Sequence, residues 1–124
     1  MTLAESTVLV VDDEPVLRLT FSVVLQRMGA RVLTAEDGAE ALEIVAANRV
    51  DVILTDKKMP NVDGLAFLYQ LRERGFTTPA ILFVNGVVPE DATEMERLGV
   101  TRTISKPIHP QELVRILEDV LVDR

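Results

Sequence analysis

Cysteine is absent from the sequence, which excludes disulfide staples, thiolate metal ligands and thiol nucleophiles and fits a reducing compartment. Long apolar runs are absent too: the longest are about five residues, where a membrane-crossing helix needs about 20. Met1–Ser6 carries Glu5 and no cluster of positive charge, so the N-terminus does not read as a secretory signal. A cytoplasmic protein with no membrane partner is expected. Six Gly and six Pro among 124 residues are too few for a low-complexity linker, and no internal repeat is visible. One compact domain over residues 1–124 follows as the expectation. Basic residues are in the minority, 13 against 20 acidic ones, for a net charge of −7. Affinity for a phosphate backbone comes from Lys and Arg displacing counterions, so direct nucleic-acid binding is not expected.

Apolar residues make up 48% of the chain, enough to build a core. Thr7–Val11, Val52–Thr55 and Ala80–Val84 are unbroken runs rich in Val, Ile and Leu, as strands buried on both faces require. Arg31–Ala35 and Thr101–Ser105 mix in polar residues and read as edge strands. Five helical stretches lie between and after them. The first runs from Pro15, a good first helical residue, to a stop at Gly29, with Leu17, Phe21, Val24 and Met28 on its apolar face. Asp37 with Glu40 three residues on is a capping-box pattern for the second, which turns Ala41, Leu42 and Val45 inward and ends near Asn48. Asp63 can cap a third, with Leu65, Leu68 and Leu71 on one face and Gly75 after it. The fourth, Pro89 to Leu98, has only Ala92, Met95 and Leu98 as a stripe. The last, after Pro110, presents Leu113, Ile116, Leu117 and Val120. Strict βα alternation over five units predicts an α/β fold, a doubly wound (βα)5 parallel sheet of order 2-1-3-4-5. The three unbroken runs then fall in its centre. Ligands in such sheets bind at the carboxyl ends of the strands, where the order reverses.

Strand 1 ends in Asp12-Asp13-Glu14 and strand 3 in Asp56, both at that reversal point. Converging carboxylates repel one another unless a cation compensates them. Oxygen ligands without Cys or His suit a hard ion, Mg²⁺ before Ca²⁺. Asp12-Asp13 taken alone reads equally well as a helix N-cap. Lys106, at the end of strand 5, adds a second cation to the same rim and shifts the balance toward a site.

Val8-Leu9-Val10-Val11-Asp12-Asp13-Glu14, then Leu54-Thr55-Asp56-Lys57-Lys58-Met59-Pro60-Asn61-Val62-Asp63-Gly64, then Ser105-Lys106-Pro107 closely resemble the CheY-like receiver family of bacterial-type two-component response regulators. The resemblance covers essentially the whole chain, and the three blocks are specific as a combination rather than singly. It implies the flavodoxin-like fold. It also implies that Asp56 is the phosphoacceptor, Asp13 a direct Mg²⁺ ligand, Asp12 a ligand acting largely through water, and Lys58 a ligand through its backbone carbonyl. Lys106 matches the lysine that pairs with phosphoryl oxygens, and Lys106-Pro107 a peptide bond often cis in the family. The implied donor is a phosphohistidine on a sensor histidine kinase or histidine phosphotransfer protein, or a small acyl phosphate. His109 reads as a solvent-side residue and not as that donor.

The chain departs from the family pattern at two places. Gap-free counting places Val84 where Thr or Ser usually bonds the phosphoryl group. Val keeps the shape and loses a hydrogen bond to a charged oxygen worth roughly 1.5–3 kcal/mol. Thr103 stands where the family has an aromatic switch residue. Asn85 is a candidate replacement donor, although Asn85-Gly86 is also a plain turn signal. Lys58 can tune access of water or a phosphatase, or be simply solvated.

The leading expectation is a stand-alone receiver without an output domain. It would be phosphorylated with Mg²⁺ and act through protein partners at the face of helix 4, strand 5 and helix 5, where homodimers also form in the family. The alternative is a degenerate receiver, a phosphorylation-independent adaptor, which Val84 and Thr103 favour. A phosphohydrolase would commonly show Asp-x-Asp, whereas Lys58 holds the second position. A nucleotide or flavin binder would need a Gly-rich or hydroxyl-rich loop in place of Asp-Asp-Glu-Pro.

Overall fold

A computed structural model describes residues 2–59, 61–85 and 92–122. After a 3-10 turn at Leu3–Glu5, the chain alternates β1 (Thr7–Val11), α1 (Pro15–Arg27), β2 (Arg31–Ala35), α2 (Gly38–Ala47), β3 (Val52–Asp56), α3 (Gly64–Glu73), β4 (Ala80–Val84), α4 (Ala92–Arg97), β5 (Val100–Ser105) and α5 (Pro110–Val122). The strands form one parallel sheet of order β2-β1-β3-β4-β5, the order expected from the alternation. β3 and β4 are buried along their whole length, whereas the edge strand β5 is largely exposed. That contrast matches the division into unbroken and mixed runs.

The two-residue period of the strands sorts their side chains into two cores. Val8, Val10, Val52, Leu54, Ile81 and Phe83 pack with Phe21 and Leu25 of α1 and Leu113, Leu117 and Leu121 of α5. Leu9, Val11, Ile53 and Ala80 face Ala41, Leu42 and Val45 of α2 and Phe67, Leu68 and Leu71 of α3. Leu82 and Val84 continue this second face toward Met95 of α4.

Local signals set most helix boundaries. Asp37 caps α2 by accepting the Glu40 N–H at 2.9 Å, and Asp63 caps α3 by accepting the Ala66 N–H at 2.9 Å. Two apolar assignments need correction. Met28 is 44% exposed, because α1 ends at Arg27 and the chain turns through Gly29 into β2; Leu25, one turn after Phe21, is the fully buried residue instead. Ala92 is exposed, which leaves Met95 and Leu98 as the buried part of the fourth stripe. The start of that stretch, Pro89–Asp91, lies outside the described residues, as do Gly86 and Pro60.

A feature the periodicity did not reveal ties α3 to α4. The half-buried Arg72 guanidinium donates to the carbonyls of Leu98 (2.7 Å), Phe76 (3.0 Å) and Thr78 (2.7 Å). Burial pushes its pKa down, and the three carbonyl oxygens satisfy donors that would otherwise be stranded.

Candidate functional site

β1 and β3 lie side by side, and their carboxyl ends deliver Asp12, Asp13 and Asp56 to one rim. Each of the three offers a carboxylate oxygen within 4.8 Å of the others. Asp12 is 1% exposed and Asp56 sits just inside the surface, while Asp13 faces solvent. Lys106 enters from the end of β5, 17% exposed, and its Nζ donates to Asp12 Oδ2 at 3.0 Å and Asp56 Oδ2 at 3.3 Å. The peptide bond that follows it, Lys106-Pro107, is cis.

Several contacts hold this arrangement from the backbone. The Asp12 N–H donates to the Ala35 carbonyl of β2, and Asp12 Oδ1 accepts the Glu14 N–H at 2.9 Å. Arg18, one turn into α1, donates to the Asp12 carbonyl at 2.6 Å. The N-cap of α1 is Glu14, and its side chain makes no capping bond. Asp12 and Asp13 are therefore not the N-cap that their sequence position also allowed. On the neighbouring strands, the Lys57 N–H donates to the Phe83 carbonyl and the Lys106 N–H to the Val84 carbonyl, which locks the three strand ends in register.

Two further residues shape the rim: Phe83, which did not stand out in the sequence, and Gly64, which closed the middle motif block without a role of its own. Phe83 pairs with Asp56 across β3 and β4, stacks on Phe21 with centroids 5.5 Å apart, and lies 5.8 Å below the Lys106 ammonium. The ring gives the cation a floor with a favourable quadrupole. Gly64 is required by close approach: its N–H bonds the Lys57 carbonyl, and a Cβ there would fall on the backbone carbonyl of Asp56. Phe83 was hidden within an apolar run. Only the two-residue period, which puts it on the same face as Val10 and Leu54, hints at its place.

Electrostatics distinguish the partners. Burial pushes the Asp56 carboxyl above its ordinary value; the Lys106 charge opposes the rise, and the charges of Asp12 and Asp13 add to it. Burial works against the charged form of Lys106 as well, yet its hydrogen bond and charge pairing with Asp12, and then with Asp56, together hold its pKa above the ordinary value. The uncompensated element is negative. Among the described residues, three carboxylates meet one ammonium, so the donor set, all oxygen with one member open to solvent, suits a hard divalent cation.

The model of the response regulator receiver domain matches residues 8–118. The chain belongs to that family. Among the receiver's relatives is the sensor histidine kinase RcsC of Escherichia coli (strain K12), 34% identical over 101 residues, which cover 82% of this chain and 11% of the kinase. The chain thus spans about a tenth of the length of the histidine kinases it matches. A 14.6 kDa protein of Leptolyngbya boryana is 34% identical over 119 residues, covering 94% of this chain and 91% of its own. In structure the receiver resembles chemotaxis protein CheY4 of Vibrio cholerae, with a TM-score of 0.86 and 36% identity over 94% of this chain and 98% of that one. It also resembles the receiver domain of Francisella response regulator 1452, with a TM-score of 0.86 and 28% identity over 96% and 98%. As a receiver it is a signalling domain rather than a classical enzyme.

The remaining expected residues fall around this rim or away from it. Val84 ends β4 opposite Ser105, and its side chain packs with Leu82 and Met95. Asn85 follows it, exposed, and the Lys58 side chain is exposed on the loop after β3. Thr103 is exposed on β5. His109 is exposed, its Nδ1 accepting the Gln111 N–H at 3.2 Å.

Proposed function

We propose that this receiver accepts a phosphoryl group on Asp56 from a phosphohistidine of a sensor histidine kinase or histidine phosphotransfer protein, in the presence of Mg²⁺, and signals through a protein partner. The observation that carries the reading is the meeting of Asp12, Asp13 and Asp56 within 4.8 Å, with Lys106 bonded to two of them. Asp12, Asp13, Asp56 and the Lys58 carbonyl would hold the ion. When bound, Mg²⁺ offsets the carboxylate charge and the charge on the phosphoryl oxygens. An oxygen of ionised Asp56 bonds to phosphorus as the bond from phosphorus to the histidine nitrogen breaks, and the imidazole leaves. Lys106 sits beside that oxygen with its charge already oriented, so it stabilises charge spreading onto the phosphoryl group with little rearrangement.

Val84 brings no hydroxyl to this chemistry. Asn85 is the candidate amide donor in its place, and the Lys58 side chain a candidate gate for attacking water. Output would pass through the face of α4, β5 and α5, on which a second copy could also pair. There Thr103 supplies no ring to report the state of Asp56. Val84 and Thr103 together support a second reading, an adaptor that binds its partner whatever the state of Asp56. Incubation with acetyl phosphate or beryllofluoride, with and without Mg²⁺, decides between the two. The first reading requires a Mg²⁺-dependent adduct in the wild type and none in Asp56→Ala. No adduct, with partner binding intact in Asp56→Ala, would establish the adaptor.

A further inference from the structure

The loop from β3 to α3 carries Lys58, whose carbonyl is assigned above to the cation, and its far end is fastened to the start of α2. Asn61 stands at φ 65, in the left-handed region, which Asn enters more readily than most residues other than glycine. Its Nδ2 donates to Asp37 Oδ2 at 3.1 Å, while Oδ1 of the same carboxylate accepts the Glu40 N–H at 2.9 Å. Next to this pair, the Gly38 N–H donates to the Val62 carbonyl at 3.0 Å. A Cβ at Gly38 would come within 2.8 Å of the Val62 carbonyl and side chain and of Phe67 Cβ in α3, so the start of α2 lies directly against the β3–α3 loop. The hydrogen bonds from Glu40 and then Asn61 hold the Asp37 carboxyl below its ordinary value, so both bonds are made to the charged form.

An N-cap needs one oxygen, and Asp37 uses both. Met59 and Val62 anchor the loop into the same apolar cluster as Ala41 and Leu42. Apolar contact fixes how deep the loop sits but is non-directional, and it leaves the rotation of the peptide planes free. A hydrogen bond to a fixed carboxylate has direction and removes that freedom.

We propose that Asp37 and Asn61 form a latch that positions the β3–α3 loop, and with it the Lys58 carbonyl, for the divalent cation. Both are positioning residues outside the carboxylate cluster, and the inference rests on the Mg²⁺ reading above. Asp37→Ser keeps a capping oxygen and removes the second acceptor, whereas Asn61→Gly accepts the same φ and removes the amide. Two measurements on the full chain test the latch: amide hydrogen exchange at Gly64 without metal, whose N–H closes the loop on the Lys57 carbonyl at 2.9 Å, and Mg²⁺ titration followed by NMR. Each variant should exchange faster at Gly64 and bind Mg²⁺ about tenfold more weakly, the usual scale for a residue that orients a metal ligand. The double variant should be no weaker than either single one, because both break the same contact. Asp13→Asn should weaken Mg²⁺ binding with Gly64 exchange unchanged, which separates loss of a ligand from loss of the latch. Unchanged Mg²⁺ affinity and unchanged Gly64 exchange in Asp37→Ser and Asn61→Gly would overturn the proposal. A wild type with no Mg²⁺-dependent shift would instead overturn the cation reading, and the role assigned to the latch with it.

Discussion

Lys106 and Asp56 share a hydrogen bond, but pH acts on them in different ranges. The folded-state pKa of Asp56 is raised, so the folded chain keeps a proton at pH values where the unfolded chain has lost it. Its contribution to stability therefore falls as pH rises from the ordinary carboxylate range through the folded value. Metal-free Asp56→Asn should then melt above the wild type at neutral pH, on the order of a few degrees. The gap should close as pH falls below about 4, and scanning calorimetry across pH checks this. The raised pKa of Lys106 acts at the alkaline end. Its stabilisation is complete below about 10.4 and is lost as pH rises through the folded value. Val84 is the other residue whose chemistry can be isolated. Val84→Thr restores one hydroxyl at nearly constant shape, and one hydrogen bond to a charged oxygen is worth roughly 1.5–3 kcal/mol. Phosphorylation by acetyl phosphate should accelerate about tenfold or more, as measured by the rate of adduct formation.

At the scale of elements, the site depends on loops closing tightly over strand ends. α3 can begin where it does only because Gly64 lets the chain pass against the Asp56 carbonyl. Gly64→Ala drives a methyl group into the backbone of Asp56 and Lys57 and forces the β3–α3 loop outward. It should cost more than about 2 kcal/mol in urea unfolding, and Mg²⁺ binding should weaken with it. α1 contributes in two ways: Phe21 stacks on Phe83 beneath Lys106, and Arg18 holds the Asp12 carbonyl. One helix thus braces the floor of the rim and the backbone of its most buried carboxylate. Arg72 plays a comparable part away from the rim, joining the end of α3 to the end of α4 through Leu98.

At the scale of the molecule, the parallel sheet concentrates negative charge at one edge while apolar layers cover both faces. A ligand that relieves this concentration only in the folded state stabilises the whole domain by mass action. Mg²⁺ at ten times its dissociation constant should add about 1.4 kcal/mol. The accompanying rise in melting temperature should be largely lost in Asp13→Asn, whose solvent-facing carboxylate is a proposed ligand, and thermal unfolding in a Mg²⁺ series checks it. The net charge of −7 works in the same direction, since self-repulsion of an acidic domain favours cation binding.

The strand runs, the caps at Asp37 and Asp63 and the alternation of strand with helix follow from local rules, and they were legible in the sequence because each depends on residues a few positions apart. So was the convergence of Asp12, Asp13 and Asp56, since the strand order and the switch-point rule place both strand ends together before any contact is seen. Other features arise between residues far apart in the chain: Phe83 beneath Lys106, Arg72 on the Leu98 carbonyl and Asn61 on Asp37. The exposure of Met28 depends on where the helix stops and the chain turns, and the partner of Asn61 on how two loops abut. Helical and strand periods give the face a residue occupies, whereas packing alone decides which neighbour it meets there and at what distance.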